Sequence, residues 1–427
     1  MSPPLTEIHS VIATVWRMES AKLIAGLTRL VHDVGVAEDL AQDALVAALE
    51  QWPTSGVPKN PGAWLMAAAK NRGIDQLRRT ALLERKHEQL GHELSPVHDT
   101  AAELEAAMDD PVGDDLLRLM FIACHTVLPP DARVALTLRL LGGLTTDEIA
   151  RAFITSEATI AQRIVRAKRT LAQARVPYAV PRGPELNERL ASVLEVIYLI
   201  FNEGYAASAG DDWMRPALCE EALRLGRILA ELAPSEPEVH GLVALMEIQA
   251  SRSRARVGPN GEPILLLEQD RGRWDRLLIH RGLAALDRAS TLVAEGSPGS
   301  YQLQAEIAAC HARAPVADAT DWPRIASLYE RLAQLQPSPI VDLNRAVAEG
   351  MAFGAAAGLA RVDAIVRDGR LTNYHLLPSV RGDLLEKLGR WSEARVEYQR
   401  AADLTRNERE RTLLLERVRR CTRQGMA

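Results

Sequence analysis

Apolar residues recur at spacings of three and four along most of the chain, the period of helices that bury one face. The pattern is clearest in Leu144–Leu171, LTTDEIARAFITSEATIAQRIVRAKRTL. Thr146 reads as the N-cap of a short helix with Ile149, Ala150 and Phe153 turned inward. Ser156 reads as the cap of a second, with Ile160, Ile164, Ala167 and Leu171 inward. Polar and basic residues, Thr159, Gln162, Arg163, Arg166, Lys168 and Arg169, make up the rest of the second helix. A short helix followed by a basic, apolar-backed one is the helix-turn-helix pattern, whose second helix enters a DNA major groove. The plainer reading is an amphipathic helix pair with a solvated charged face.

The same period marks the start of the chain. Val11, Val15, Leu23, Leu27 and Leu30 form a stripe, which breaks at Asp33–Gly35. From Ala37 to Glu50 a second helix turns Leu40, Ala44, Leu45 and Ala48 inward and Glu38, Asp39, Gln42 and Asp43 outward. Prolines and glycines punctuate WPTSGVPKNPGAW, residues 52–64. A helix from Pro61 then carries Trp64, Leu65, Ala68 and Leu77 on one side, which reads Trp64 as core. Basic Lys59, Lys70, Arg72, Arg78 and Arg79 stand against one acid, Asp75. Charge inverts over residues 80–115, where the acids outnumber Arg85 and Lys86, as in an extended, partly disordered linker. Helices resume near Asp114. Pro129-Pro130-Asp131 opens one and Gly142-Gly143 ends it, just before the helix-turn-helix.

Composition narrows the possibilities. A chain of 427 residues implies about three domains, and its wealth of Ala, Leu and Arg favours helix. A net charge of −5 excludes indiscriminate coating of nucleic acid, so any DNA contact rests on local patches. MSPPLTEIHS has no basic, then apolar, export signal, and no apolar run approaches the roughly 18 residues of a membrane span. The expectation is a cytoplasmic protein without membrane contact. Cys124, Cys219, Cys310 and Cys421 form no CxxC pair. They read as buried thiols rather than metal ligands, and no cofactor or metal is expected.

Taken in order, AEDLAQDALVAAL (37–49), NPGAWLMAAAKNRGIDQLRR (60–79), LPPDARVALTLRLLGGLTTDEIARAF (128–153) and EATIAQRIVRAKRTL (157–171) resemble the extracytoplasmic-function class of sigma-70 factors, which keep only sigma regions 2 and 4. The resemblance covers about the first 175 residues. One departure is Ile154-Thr155 at the turn, where the family often has Gly. The resemblance implies an all-α fold with region 2 at 7–80, an acidic linker at 81–113 and region 4 at 114–175. It also implies a function: binding core RNA polymerase through its β and β′ subunits and directing it to promoter DNA, with no chemistry of its own. Glu38, Asp39, Gln42 and Asp43 would dock on a basic coiled coil of β′. Lys59, Asn60, Lys70, Asn71, Arg72, Arg78 and Arg79 would hold the melted −10 strand. Ser156, Thr159, Gln162, Arg163, Arg166, Lys168 and Arg169 would read the −35 duplex, with arginines suited to guanine and Gln162 to adenine.

A further 250 or so residues follow. Val176–Pro184 reads as a proline-rich hinge or a packed connector. A long helix then carries Leu190, Leu194, Ile197 and Phe201 on one side. Residues 216–233 and 237–253 read as a helix pair, Gly258–Gly261 as a turn and Ile264–Leu267 as a short strand or extended piece. Near the end Gly382, Leu385, Gly389, Ala394, Tyr398 and Ala401 stand at the offsets of a tetratricopeptide repeat, with a degenerate unit at 340–365 carrying Ala346 and Gly358. The expected layout is a helical extension at 185–282 and tetratricopeptide-like repeats at 283–420. The repeats would offer a concave surface for a protein or peptide ligand. The whole resembles the sigma subgroup with such an extension, thought to control sigma activity. HExxH, GxSxG and glycine-rich phosphate loops are absent, so the cluster from Glu268 to Arg276 stays open between ion pairs and a ligand site. The alternative function is a helix-turn-helix regulator with a repeat-built sensor, acting without polymerase. It leaves residues 37–79 without a role.

Overall fold

The computed structural model describes residues 5–71, 112–153, 155–207, 213–259, 261–293, 297–369 and 371–425. Most of the acidic linker, Ile154, Arg72, Arg78 and Arg79 lie outside them. The fold is all-α, with no strand among the described residues. The chain divides into two compact units, residues 1–196 and 197–427.

The first unit opens with α1 (Leu5–Val31) and α2 (Val34–Ser55). Asp33 separates them by accepting the Gly35 and Val36 N–H groups at 2.7 and 3.0 Å, an N-cap that starts α2. The buried face of α1 is Ile8, Ile12, Leu23, Ile24 and Leu27, whereas Val11 is 39% exposed. The expected stripe was thus one position off at its N-terminal end. Asn60 caps α3 (residues 61–71), its side chain accepting the Ala63 N–H at 3.1 Å. Leu65 and Ala69 bury, and Ala68 is only half-buried.

Then come α4 (Val112–Ala123), α5 (Pro130–Leu140), α6 (Thr146–Ala152) and α7 (Glu157–Gln173). Pro130 opens α5 where its missing N–H costs nothing. Gly143, at φ +65°, makes the left-handed turn after it. The cap of α6 is Thr145 rather than Thr146, because Glu148 reaches back to it in a reciprocal capping box. Ser156 caps α7 as expected, accepting the Thr159 N–H at 3.1 Å. Helices α4 and α5 pack on α1, so the two helical groups share one core.

Residues 176–183 are a packed connector. The Tyr178 hydroxyl bonds the carbonyls of Ala25 (2.6 Å) and Asp115 (3.1 Å), tying the connector to α1 and α4. The first thirteen or so residues of α8 (Pro184–Tyr205) continue this unit. Arg189 donates to the Phe121 carbonyl at 2.8 Å, and buried Arg133 donates to Ser192 Oγ and Glu195 at 2.5 and 2.9 Å.

The second unit is a series of helices that pack mostly on their neighbours in sequence, except that Ser300–Arg313 packs more on Pro237–Ala250 than on the helix just before it. These are α9 (Pro216–Leu232), α10 (Pro237–Ala250), α11 (Arg276–Val293), α12 (Ser300–Arg313), α13 (Trp322–Leu335), α14 (Pro339–Phe353), α15 (Ala355–Arg367), α16 (Leu376–Lys387), α17 (Trp391–Leu404) and α18 (Glu408–Gln424). Sequential packing of this kind is what a solenoid of helix pairs requires. Of the short strand or extended piece expected at Ile264–Leu267, no strand forms, and Leu265 keeps extended backbone. The chain makes one antiparallel bridge, Val257 with Pro263, and then a 3-10 turn at Leu266–Glu268. With no second strand to accept its ladder, the apolar run makes no sheet.

The repeat geometry depends on small residues. A Cβ on Gly382 would stand 2.9 Å from the Tyr398 ring, which is fully buried and bonds Glu386 through its hydroxyl at 2.7 Å. A Cβ on Gly358 would meet backbone, the Ala346 carbonyl at 2.6 Å and Gly350 Cα at 2.9 Å. Gly358→Ala is therefore expected to destabilise the second unit by about 1–3 kcal/mol through overpacking, outweighing the roughly 1 kcal/mol of helix propensity that alanine adds. Chemical denaturation of the full chain checks this. An unchanged or higher midpoint for the second unit contradicts it.

Candidate nucleic-acid interface

Helix α7 has three faces. Its apolar face, Ile160, Ile164, Ala167 and Leu171, is buried against the first unit's core. A second face presents Thr159, Gln162 and Arg166 to solvent beside half-buried Arg163. With Pro129, Pro130 and Asp131 these residues line a groove of about 630 Å³. Arg163 lies 3.5 Å from the Asp131 carboxylate, and both side chains keep solvent contact, so the pair is weak and easily exchanged for another anion. Val165, 63% exposed, stands on the same solvent-facing surface, and Arg169 is exposed. Ser156 and Thr159 join hydroxyls at 2.7 Å at the helix start.

Lys168 belongs to the third face. Residues two apart on a helix point about 200° from one another, so Lys168 leaves the Arg166 side. It forms a short ion pair with Glu38 of α2. Arg139 of α5 binds the same carboxylate at 2.6 Å, and Gln42 donates to it at 2.7 Å. Glu38 is only 3% exposed. Expected as an outward acid of α2, it instead faces α5 and α7, because two cations from the later helices meet it there. Burial alone would raise its pKa, but Lys168 and then Arg139, by charge and hydrogen bond, outweigh burial and hold the carboxyl below the ordinary 4.5. A second, exposed bridge joins Arg17 of α1 to Glu148 of α6 at 2.7 Å.

The other acids of α2 stay outside. Asp39 and Asp43 are exposed and Gln42 is half-buried. Val46, 48% exposed, and Glu50 continue the stripe at spacings of three and four. Sequence reading missed Val46, although the spacing 39–43–46–50 marks it as a neighbour of the acids on one surface.

Around α3, Lys59, Asn60 and Asn71 are exposed, and Lys70 is half-buried. Burial, with the nearby Arg29 charge, lowers the Lys70 pKa. Trp64 is half-buried and meets fully buried Trp52 edge-on, with ring centroids 5.4 Å apart. It thus has a packing role and some open surface. All four cysteines are buried, and burial pushes the Cys124 and Cys219 thiols up to about 11 and about 12.

Removing the Glu38 carboxylate (Glu38→Ala) is expected to cost the first unit about 1.5–3 kcal/mol, the range for hydrogen bonds to charged groups. Because the folded-state pKa is depressed, this contribution is complete above the ordinary 4.5 and is lost as pH falls below it through the folded value. Hydrogen exchange in α2 and α7 should therefore accelerate on acidification in the wild type, and much less in Glu38→Ala. Equal acid sensitivity in both would remove Glu38 as the cause.

Residues 16–82 match the model of sigma-70 region 2, and residues 118–171 that of sigma-70 region 4. Residues 189–290 match a family of unknown function, DUF6596. The chain is 44% identical over 392 residues to an uncharacterized protein of Rhizobium meliloti (strain 1021), covering 91% of this chain and 90% of that one. It is 28% identical over 176 residues to the probable ECF RNA polymerase sigma factor SigI of Mycobacterium tuberculosis, covering 40% of this chain and 58% of that protein. The same figures hold for the SigI of both strains, CDC 1551 / Oshkosh and ATCC 25618 / H37Rv. No solved structure matches the chain.

Proposed function

We infer that this chain, which carries sigma-70 regions 2 and 4 and is similar to an ECF RNA polymerase sigma factor, belongs to the extracytoplasmic-function class and divides the work of promoter recognition among its residues. It is an alternative sigma factor that directs RNA polymerase in promoter-specific initiation. Its family acts without covalent chemistry, and no described helix is long and apolar enough to cross a membrane.

Helix α7 reads the −35 duplex through Thr159, Gln162, Arg163 and Arg166, with Arg169 on phosphate and Ser156 setting the helix start. The observation that carries this is a capped helix whose Thr159, Gln162 and Arg166 are all exposed along one groove. Lys59, Asn60, Lys70, Asn71, Arg72, Arg78 and Arg79 hold the melted −10 strand, where cations track phosphates and polar groups meet an unstacked base. Asp39, Gln42 and Asp43, with Val46 beside them, dock on core polymerase. Glu38 joins that set only on releasing Arg139 and Lys168, so polymerase and region 4 compete for one carboxylate. Lys168 becomes free for phosphate in the same step. Binding to core is thereby coupled to separation of the two DNA-reading regions, a population shift driven by differential contacts. The second unit, built of stacked helix pairs, regulates this activity through a ligand of its own, and the domain limits expected from sequence serve as working boundaries. A regulator acting without polymerase leaves the region 2 match without a role.

In vitro transcription with core polymerase and the full chain tests the division. Arg166→Ala is expected to reduce the specific transcript about tenfold, the effect of losing one base-edge contact of about 1–3 kcal/mol. Asp39→Asn with Asp43→Asn should weaken association with core without changing promoter preference. A specific transcript that persists unchanged with Arg163 and Arg166 both replaced by Ala would exclude α7 as the −35 reader.

A further inference from the structure

Residues 251–276 are built as a rigid clasp in the second unit. The Asp275 N–H bonds the Ser251 carbonyl at 2.8 Å, closing the ends, and the Ile264 N–H bonds the Arg256 carbonyl at 2.8 Å within it. Arginines fix the inside. Buried Arg256 donates to the Tyr205 carbonyl at 2.5 Å and lies over the Tyr205 ring at 3.5 Å. Buried Arg271 donates to the carbonyls of His311 and Ala314, both at 2.6 Å, and to Thr320 Oγ1 at 3.0 Å. Arg252 sits between the Tyr205 and Trp274 rings, 5.7 and 5.8 Å from their centroids. Among the described residues none of these three guanidinium groups has a carboxylate within 4 Å. Burial lowers the pKa of Arg256 and Arg271, and burial with the charges of Arg252 and Arg271 pushes the His311 imidazole down to about 3. The inner guanidinium groups thus rest on carbonyls, a hydroxyl and aromatic rings rather than on carboxylates.

A groove of about 780 Å³ opens on this clasp. Arg254, Arg273 and Arg276 line it, all exposed, and none forms an ion pair among the described residues. The acid in the groove, Asp275, is occupied as a helix cap, its Oδ1 accepting the Leu277 and Leu278 N–H groups at 2.9 and 3.1 Å. Trp274, 4% exposed, forms part of the wall, and its indole N–H has no partner. Elsewhere in this unit several arginines rest on acids, Arg345 and Arg361 on Glu349 and Arg381 on Asp363 and Glu397.

We propose that this groove is a binding site for a ligand carrying two or more adjacent phosphate groups. Three guanidinium forks converge on one groove, and each can grip a phosphate bidentately. A single carboxylate would leave most of that charge unanswered, whereas a phosphate chain meets several forks at once. The volume suits a small molecule. Ser253 adds a hydroxyl at the rim. The shared chemistry fits inorganic polyphosphate and nucleoside polyphosphates alike.

Calorimetric titration of the full chain at low salt, with tripolyphosphate and in parallel with ATP, tests the site. Saturable binding of tripolyphosphate at one site is expected, weakening as salt rises. Arg254→Gln with Arg273→Gln should weaken it about tenfold or more while leaving the unfolding transition in place. Arg163→Gln with Arg166→Gln, which alters only α7, should leave it intact. ATP binding more tightly than tripolyphosphate assigns a nucleoside polyphosphate, and equal binding assigns the phosphate chain alone. No saturable binding by the wild type, binding that survives Arg254→Gln with Arg273→Gln, or binding lost only in the α7 variant each overturns the proposal.

Discussion

A carboxylate withdrawn from water forfeits several kcal/mol of hydration unless cations meet it, and Glu38 is withdrawn almost completely. Arg139 and Lys168, each about one-fifth exposed, supply the compensation from two different helices. Neither would reach it unless α2, α5 and α7 were held at fixed separation, so the pair and the packing of the first unit require each other. Apolar burial of α1 against α4 and α5 brings the two groups of helices together. The ion pairs then select one register among the many that a greasy surface would allow. Tyr178 adds a tie of the same kind, a hydroxyl shared by carbonyls of α1 and α4. Such polar ties are sensitive to geometry and cheap to exchange for a partner of like chemistry, which apolar contacts are not.

The second unit is organised on a different constraint, how closely helix backbones approach. Glycines and alanines line crossings of its later helices, and at one of them a large side chain fills the space left. At α16–α17 this is Tyr398, fully buried under Gly382. It is held by Glu386 and by Arg417, which donates to its hydroxyl at 2.9 Å and lies over its ring. At α14–α15, Gly350 and Gly358 meet with no side chain between them. These contacts are local in sequence, and so a helical-repeat reading was possible from residue spacing alone.

That difference accounts for what was legible in the sequence. Caps, proline starts, glycine stops and apolar spacing are encoded within a few residues. Asp33, Ser156, Pro130 and Gly143, as well as the repeat positions from Gly382 to Ala401, stood out for that reason. Glu38 did not, because its partners lie 101 and 130 residues away along the chain. An acid near the start of a helix looks the same whether it faces water or a later guanidinium. Lys168 was misplaced by the same blindness, being counted with its basic neighbours when helical angle sets it against α2. Ile264–Leu267 had the composition of a strand but no partner to pair with, and a strand is a property of two segments. In the clasp, Arg271 and Arg276 belonged to one polar cluster in sequence, yet one is buried on carbonyls and the other exposed.

The contrast between Arg166 and Lys168, or Arg276 and Arg271, points to a way of sorting the cations of an acidic, arginine-rich chain. Exposure alone does not separate structural from ligand-facing groups, since many exposed arginines rest on nearby acids. Satisfaction does. A guanidinium bonded to a carboxylate or a row of carbonyls has its donors committed, and an incoming phosphate must displace those bonds before gaining its own. An exposed guanidinium without such partners offers all its donors at no such cost. By that criterion Arg166 in the groove of α7, and Arg254, Arg273 and Arg276 over the clasp at 251–276, are uncommitted. The first is the face a promoter-reading helix needs. The second gathers three such groups around one groove, which is why anion binding is assigned to it.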